Sequence, residues 1–389
     1  MRSRTSHIIY SSQVQQWAVS WLCDAMRLKD HGWKCTAAVV WSIVLRAAAQ
    51  MISLSAACRD LSQAPSDQAL LTALEAGLPR TLRALEKQLH SALTSHIPTR
   101  VRKHSWPVAI DWHLVPYYGR PLASRNELCS SKPSHGTSKF HVYATACIVW
   151  HGVRYTVAAT WVRRHETAIV VLRRLLARLR DLGLKIRRLL LDAAFYSLPV
   201  TALLQSERIP FLMPAVIRGR RPKRGQRATG LRAIRRQGAG WYSHRLQRQG
   251  QTVRLSICVA CRSYKHAKDG RRKSRKLMFA AWRVHGTPTE IRELYRKRFG
   301  IESSYRQRRQ ARITTCTRNP HLRLLFLVVA LLLRNLWVWI HEQWLSDGPV
   351  EDLTVHLEQL RFRRMLDWIR WEVIAAFHDG SPPCVAISA

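Results

Sequence analysis

The chain has 389 residues, room for two or more domains, and its 64 Lys and Arg against 24 Asp and Glu give a net charge of +40 and a pI near 11.3. A charge that large repels itself unless a polyanion neutralises it, and the dominance of Arg suits phosphate. An apolar content of 47% with 15 Trp excludes a disordered chain.

The nine Cys, at 23, 35, 58, 129, 147, 258, 261, 316 and 384, are odd in number and lack framework spacing. They read as reduced thiols of a cytoplasmic protein. Cys258-Val-Ala-Cys261 has metal-like spacing but no second pair, and it falls in an alternating run, so strand cysteines are predicted. The N-terminal stretch leads into no sustained apolar run, and no secretory signal is expected.

In chain order, Val14–Leu28 and Ala37–Ile52 show helical apolar spacing. Leu54–Leu61 and Ser66–Leu74 form two short helices around Ala64-Pro65, with Ser66 an N-cap and Gly77 a stop. Such a pair fits a helix-turn-helix for DNA and equally a plain helical scaffold. From Trp106 the pattern turns to strands: Val108, Ile110, Trp112 and Leu114 alternate with Asp111 and His113, and Phe140–Trp150 and Arg154–Val162 follow. Ile169, Leu172, Leu175, Leu176, Leu179 and Leu182 mark a helix that Gly183 ends. The run Leu189–Asp192 is apolar on both faces, as a central parallel strand would be. A helix over Leu198–Ser206 then leads to the apolar segment Ile209–Met213.

Three strands, helix, strand, helix, strand is the order of RNase H-like nuclease cores, which set the first-strand and fourth-strand acids side by side. Residues 214–285 interrupt it with short strands and basic turns such as Arg218–Arg227 and Lys268–Arg275, a β-rich insertion with a phosphate-facing surface. Thr287-Pro-Thr-Glu290 is a capping box that opens a helix predicted to carry Glu302 several turns in, with Gly300 a source of local irregularity. Beyond Asn319-Pro320, the apolar core Leu324–Leu333 is broken by Arg334-Asn335. It is short of the roughly 20 residues of a membrane span, so a buried helix and no membrane partner are predicted.

The fold class is therefore α/β: an RNase H-like mixed-sheet core with a β-rich insertion, an N-terminal helical domain and a helical C-terminal tail. Predicted boundaries are 1–100 (helical, DNA-binding), 101–213 (first part of the core), 214–285 (insertion), 286–345 (last part of the core) and 346–389 (tail).

Two strand acids and one helix acid, Asp111, Asp192 and Glu302, form a trio able to hold two Mg²⁺ ions for in-line attack on a phosphodiester. At about 100° per residue, Tyr295, Arg298, Glu302 and Arg309 fall within about 60° of one another on one helical stripe. A tyrosine, two arginines and one acid on one stripe suit phosphate contact beside a metal ligand. As structural alternatives, Asp111 fits a solvent-edge strand position, Asp192 a turn cap, and Glu302 an ion-pair partner of Arg298 or Arg306.

Tyr295, Arg298, Glu302 and a basic residue at 309, spaced by two, three and six residues, resemble the signature of prokaryotic insertion-sequence DDE transposases. Asp111-Trp-His-Leu-Val-Pro-Tyr-Tyr-Gly119, Phe211–Gly219 and Arg298–Gln307 are most similar to the halobacterial-type branch. The resemblance covers roughly residues 100 to 345. It implies cut-and-paste transposition, with Asp111, Asp192 and Glu302 as metal ligands for two Mg²⁺ (Mn²⁺ able to substitute). It further implies Tyr295, Arg298 and Arg309 on transposon-end phosphates, and Trp241 as the aromatic that holds a flipped base. The implied partners are double-stranded DNA, both terminal inverted repeats and target, and a second copy of the chain in a synaptic homodimer, in the nucleoid. The chain departs from the family's usual Lys at Arg309, and from its usual Arg or Gly after the second acid, where it reads Asp192-Ala-Ala-Phe195. A structure-specific nuclease and a non-catalytic DNA-binding descendant of a transposase share these features and remain alternatives.

Overall fold

The structure, a computed structural model, describes residues 8–97, 99–122, 126–150, 153–220, 226–265, 270, 272–299, 310–345 and 355–378. The chain opens with helices α1 (Ser11–Met26), α2 (Ala37–Gln50), α3 (Leu54–Arg59), α4 (Asp67–Gly77), α5 (Leu82–Thr94) and the short α6 (Thr99–Lys103). Thr36, Ser53, Ser66 and Thr81 cap α2 to α5, each hydroxyl accepting the backbone N–H three residues on. Residues Val40 to Ala49 of α2 are buried on every side, which makes it the centre of the helical layer. Helix α4, the second of the two short helices, contains no Lys or Arg, and its Glu75 accepts a hydrogen bond from Asn319 at 3.0 Å.

Among the described residues nine strands follow in one mixed sheet, beginning with β1 (Ser105–Pro116), β2 (Cys129–Ser134), β3 (Thr137–Trp150), β4 (Val153–Val162), then helix α7 (Ala168–Asp181), β5 (Lys185–Leu191), helix α8 (Leu198–Ser206) and β6 (Phe211–Pro214). Strand β2, polar and largely exposed, carries no apolar alternation that would announce it in the sequence. Gly183, at φ +65°, ends α7 where the sequence predicts a stop. After the single-turn helix α9 (Leu231–Ile234) come β7 (Gly240–Arg248), β8 (Gln251–Lys265) and β9 (Arg272–Trp282). The order is β2-β3-β1-β5-β6-β9-β8-β7, with β4 paired to β3, and β1, β5 and β6 are parallel. Within it, β4-β3-β1-β5-β6 is the RNase H-like core. The insertion is β-rich as expected, and its strands extend the core sheet, because β9 pairs antiparallel with β6.

The outer side of β4 would be an open edge, and polar side chains close it. Asn335 accepts the N–H of Thr156 at 2.9 Å and donates to Thr156 O at 2.7 Å and Leu93 O at 3.1 Å. His90 Nε2 lies 2.7 Å from Ala159 O and 3.2 Å from Ala159 N, and Glu86 accepts from Trp161 N and Thr160 Oγ1, both at 2.8 Å. These contacts satisfy buried backbone groups that no neighbouring strand among the described residues reaches, and fix α5 along the sheet edge.

Helix α10 (Pro288–Arg296) starts at the predicted capping box, in which Thr287 and Glu290 bond each other's backbone N–H. It does not run on as one regular helix: a 3-10 turn occupies Lys297–Phe299. Helix α11 (Pro320–Ile340) is long and apolar enough to cross a membrane by length and composition, yet 89% of its most apolar window is buried inside the protein. Its Asn335, fully buried, is the residue that caps β4. Helix α12 (Phe362–Phe377) returns to the N-terminal helices, where Arg363 donates to Ala49 O at 3.2 Å and Ser62 to Phe377 O at 2.8 Å.

Candidate active site

Val108 and Ile110 of β1 face one side of the sheet, into the larger core. Ala109 faces the other side, in a second cluster with Leu190, Leu212, Cys258, Ala260, Phe279, Ile291 and Tyr295. Period-two alternation puts Asp111 on this second face with Ala109. Ile110 pairs with Leu191 in parallel register, so one step further sets Asp111, midway along β1, beside Asp192, which follows the carboxyl end of β5. In open α/β sheets that edge is where ligands bind. The same rung continues through Pro214, Phe279 and Cys258 to Trp241.

Asp111 is buried, 3% exposed, and so is Arg298 at 3%. Arg298 Nη2 donates to Asp111 Oδ1 at 2.7 Å, and Arg298 Nη1 donates to the Tyr295 hydroxyl at 2.8 Å. Tyr295 in turn donates to Leu191 O at 3.0 Å. A single relay thus ties the first acid to the backbone one residue before the second. Arg154, at the start of β4 and also buried, approaches Asp111 Oδ2 at 3.9 Å. Desolvation pushes the Tyr295 hydroxyl pKa up; the nearby Arg298 opposes that shift while Asp192 and Asp111 add to it. The phenol is a neutral hydrogen-bonding group here, with no role as a phenolate.

Asp192 is half-buried and caps the 3-10 turn Ala193–Phe195, its Oδ1 accepting from Ala193 N at 2.6 Å. Capping and a place beside Asp111 are compatible, because a carboxylate has acceptor capacity beyond one bond. Phe195 at the end of this turn stacks on Trp112 with centroids 5.1 Å apart, which holds the turn against β1. His113 bonds Thr145 across to β3 at 2.8 Å and is buried, a structural placement.

The structure thus brings together Asp111, Asp192, Tyr295 and Arg298. Glu302 and Arg309 lie outside the described residues. Trp241 packs partly buried against the second cluster, and its indole N–H donates to Gly286 O at 2.8 Å. Sequence reasoning missed Arg154, which reads as an ordinary strand residue at a turn and reaches Asp111 only through the sheet. Among the described residues no three His, Cys, Asp or Glu cluster at metal-binding distance. Two adjacent carboxylates are nonetheless hard oxygen donors of the kind that Mg²⁺ and Mn²⁺ take. Asp111 already holds a cationic group, so the residues present fit a divalent ion.

Fold and acids together define an RNase H-like core with a paired-carboxylate site. A family model described as "Transposase DDE domain" matches residues 102–336, more than half of the chain, and the chain belongs to that family. No curated protein matches. Among solved structures the chain is similar to a piggyBac transposase in a synaptic complex with hairpin DNA, determined by cryo-EM. The two are 12% identical with a TM-score of 0.55, over 96% of this chain and 82% of that one, a likeness of fold alone.

Proposed function

We propose that this chain is the transposase of a prokaryotic insertion sequence, of the halobacterial-type branch, and that it moves its element by cut-and-paste. The observation that carries the reading is the parallel pairing of Ile110 with Leu191, which puts Asp111 of β1 next to Asp192 just past the carboxyl end of β5. Asp111, Asp192 and Glu302 are the proposed ligands of two Mg²⁺ ions, with Mn²⁺ able to replace them. When bound, the pair lowers the pKa of water and neutralises charge on the attacking and leaving oxygens.

The chain's own residues do the rest. Tyr295 fixes the end of β5 and orients Arg298; Arg298 turns from Asp111 to a DNA phosphate when the site is loaded. Arg309 contacts a second phosphate, and Trp241 offers an aromatic surface on the acids' rung for a flipped base. The partners are the terminal inverted repeats, target DNA and a second copy of the chain. The N-terminal helices, residues 1–100, contribute to DNA binding, and the protein works in the cytoplasm at the nucleoid.

The test is cleavage and strand transfer on labelled transposon ends in Mg²⁺ and in Mn²⁺. Wild type is expected to give both products, and Asp111→Asn, Asp192→Asn and Glu302→Gln neither. Cleavage at full rate by the Asp192→Asn and Glu302→Gln proteins would overturn the assignment. The buried Arg298–Asp111 pair favours a second reading, a DNA-binding protein that no longer cuts. That reading predicts salt-dependent DNA binding with no metal-dependent nicking by wild type.

A further inference from the structure

Residues 214–285 hold 21 Lys and Arg and a single acid, Asp269. The sheet register shows what part of that charge is organised. Strand β7 pairs with β8 only as far as Val259, and β6 pairs with β9 only over Phe279–Trp282. Beyond Ala260, β8 and β9 therefore continue as a two-stranded ribbon with no strand on either side among the described residues. In it Arg262 stands directly opposite Arg275 and Tyr264 opposite Lys273. Directly opposed like charges destabilise a β pair. Arg262 and Arg275 are both exposed, and among the described residues neither has an acidic partner.

The face that these side chains occupy is fixed by parity. Ala260 and Phe279 pack in the cluster on the acids' side of the sheet. Arg262 lies two residues beyond Ala260 and Arg275 four before Phe279, so both share that side, with Tyr264 and Lys273. The other side carries Cys261, Ser263 and Ser274, with Arg272 at the far end and Lys276 tied back to the O atoms of Arg236 and Gln237 at 3.3 and 2.5 Å. The ribbon also runs in the right direction. Cys258 sits on the rung of Asp111 and Asp192, and higher numbers on β8 lead past the carboxyl ends of the parallel strands. From β1 to β8 is four strand spacings, about 19 Å, and Arg262 lies four residues, about 13 Å, beyond Cys258 along the strand, so it stands about 23 Å from Asp111, or six to seven base-pair steps of about 3.4 Å.

We infer that the Arg262–Arg275 pair, flanked by Tyr264 and Lys273, is a phosphate clamp for double-stranded DNA, gripping the duplex about two-thirds of a helical turn from Asp111 and Asp192. This rests on the transposase reading and names a surface for it. The repulsion left across the ribbon is the signature of a site completed by a polyanion, and a two-stranded ribbon has the width to enter a major groove.

The experiment is a salt titration of binding to a fluorescein-labelled 30-base-pair duplex of arbitrary sequence, using the full chain in chelator so that nothing is cut. Each phosphate contact contributes about 0.9 to the slope of log K against log salt. The Arg262→Gln/Arg275→Gln double variant is expected to lose about 2 from the slope. A control at exposed cations of the amino end of β5, Lys185→Gln/Arg187→Gln, at the far end of the strand from the acids, is expected to lose little. An unchanged slope in the ribbon variant, or an equal loss in the control, overturns the clamp. The melting temperature of the ribbon variant should equal or exceed that of wild type, since a like-charge pair is removed; a lower one makes the pair structural and also overturns it. Failure of wild type itself to bind the duplex would instead sink the transposase reading.

Discussion

Arg298 Nη2 stands 2.7 Å from Asp111 Oδ1, with both side chains buried, so the first acid of the pair is held by an internal cation. Removing one partner of a buried ion pair costs about 3–5 kcal/mol, because the remaining charge is left desolvated. Arg298→Gln is expected to lose stability of that order in urea titrations without metal, with Arg154 at 3.9 Å making up only part. A divalent ion that binds the folded state would then compensate. Addition of Mn²⁺ should raise the melting temperature of Arg298→Gln more than that of wild type. Equal shifts in the two proteins would separate the arginine from the proposed metal site.

Tyr295 supplies the middle of the relay from Asp111 to Leu191 O. Tyr295→Phe keeps the ring packed on Phe279, at 5.1 Å between centroids, and removes only the hydroxyl. The expected stability loss is about 1–3 kcal/mol, the penalty for buried partners left unsatisfied. The end of β5 also loses its tether, so DNA cleavage should fall by more than global stability explains. A cleavage rate equal to wild type at a temperature where both proteins are folded would count against the positioning role.

Acid should weaken the α5–β4 edge through His90. Burial lowers the pKa of His90 to about 4 from an ordinary 6.5. The folded state keeps the ring neutral while the unfolded chain takes up a proton below 6.5, so stability falls as pH drops from 6.5 and levels off near 4. At pH 5 the loss is up to about 2 kcal/mol, at 1.36 kcal/mol per unit. His141 and His341, lowered to about 3 and about 4, act in the same direction, and the raised carboxyl of Glu86 opposes them. Comparing wild type with His90→Gln isolates the one term: the difference in urea midpoint between pH 7 and pH 5 should shrink in the variant.

Asn335 offers a test of edge closure. Asn335→Leu keeps the branching and the number of side-chain heavy atoms but abandons Thr156 N, Thr156 O and Leu93 O inside the protein. At about 1–3 kcal/mol for each of the three groups left unsatisfied, the expected loss is about 3 kcal/mol or more. Native-state hydrogen exchange at Thr156 should accelerate along with it; unaltered protection there would mean that the edge is closed by packing alone.

The helices and central strands were legible because they rest on local rules. Ser66 and Thr287 announce caps, Gly183 a stop, and the alternation around Asp111 shows which side chains share a face. The apolar run before Asp192 identified a central parallel strand for the same reason, since burial on both faces leaves no polar alternation. Strand β2 was not legible, because its Cys129–Ser134 segment is polar and largely exposed, and its place is set by pairing to β3.

Residue type and spacing thus determined by themselves the longer helices and central strands, the acids Asp111 and Asp192 and the Tyr295–Arg298 pair, each encoded within a few turns of chain. Tertiary structure alone decided that Arg298 and Arg154 converge on Asp111 from 187 and 43 residues away. It alone decided, too, that Glu86, His90 and Asn335 stand in for a missing strand, and that Arg262 and Arg275 face the acids' side of the sheet. Those partners are chosen by sheet register and burial, and local sequence carries no term for either.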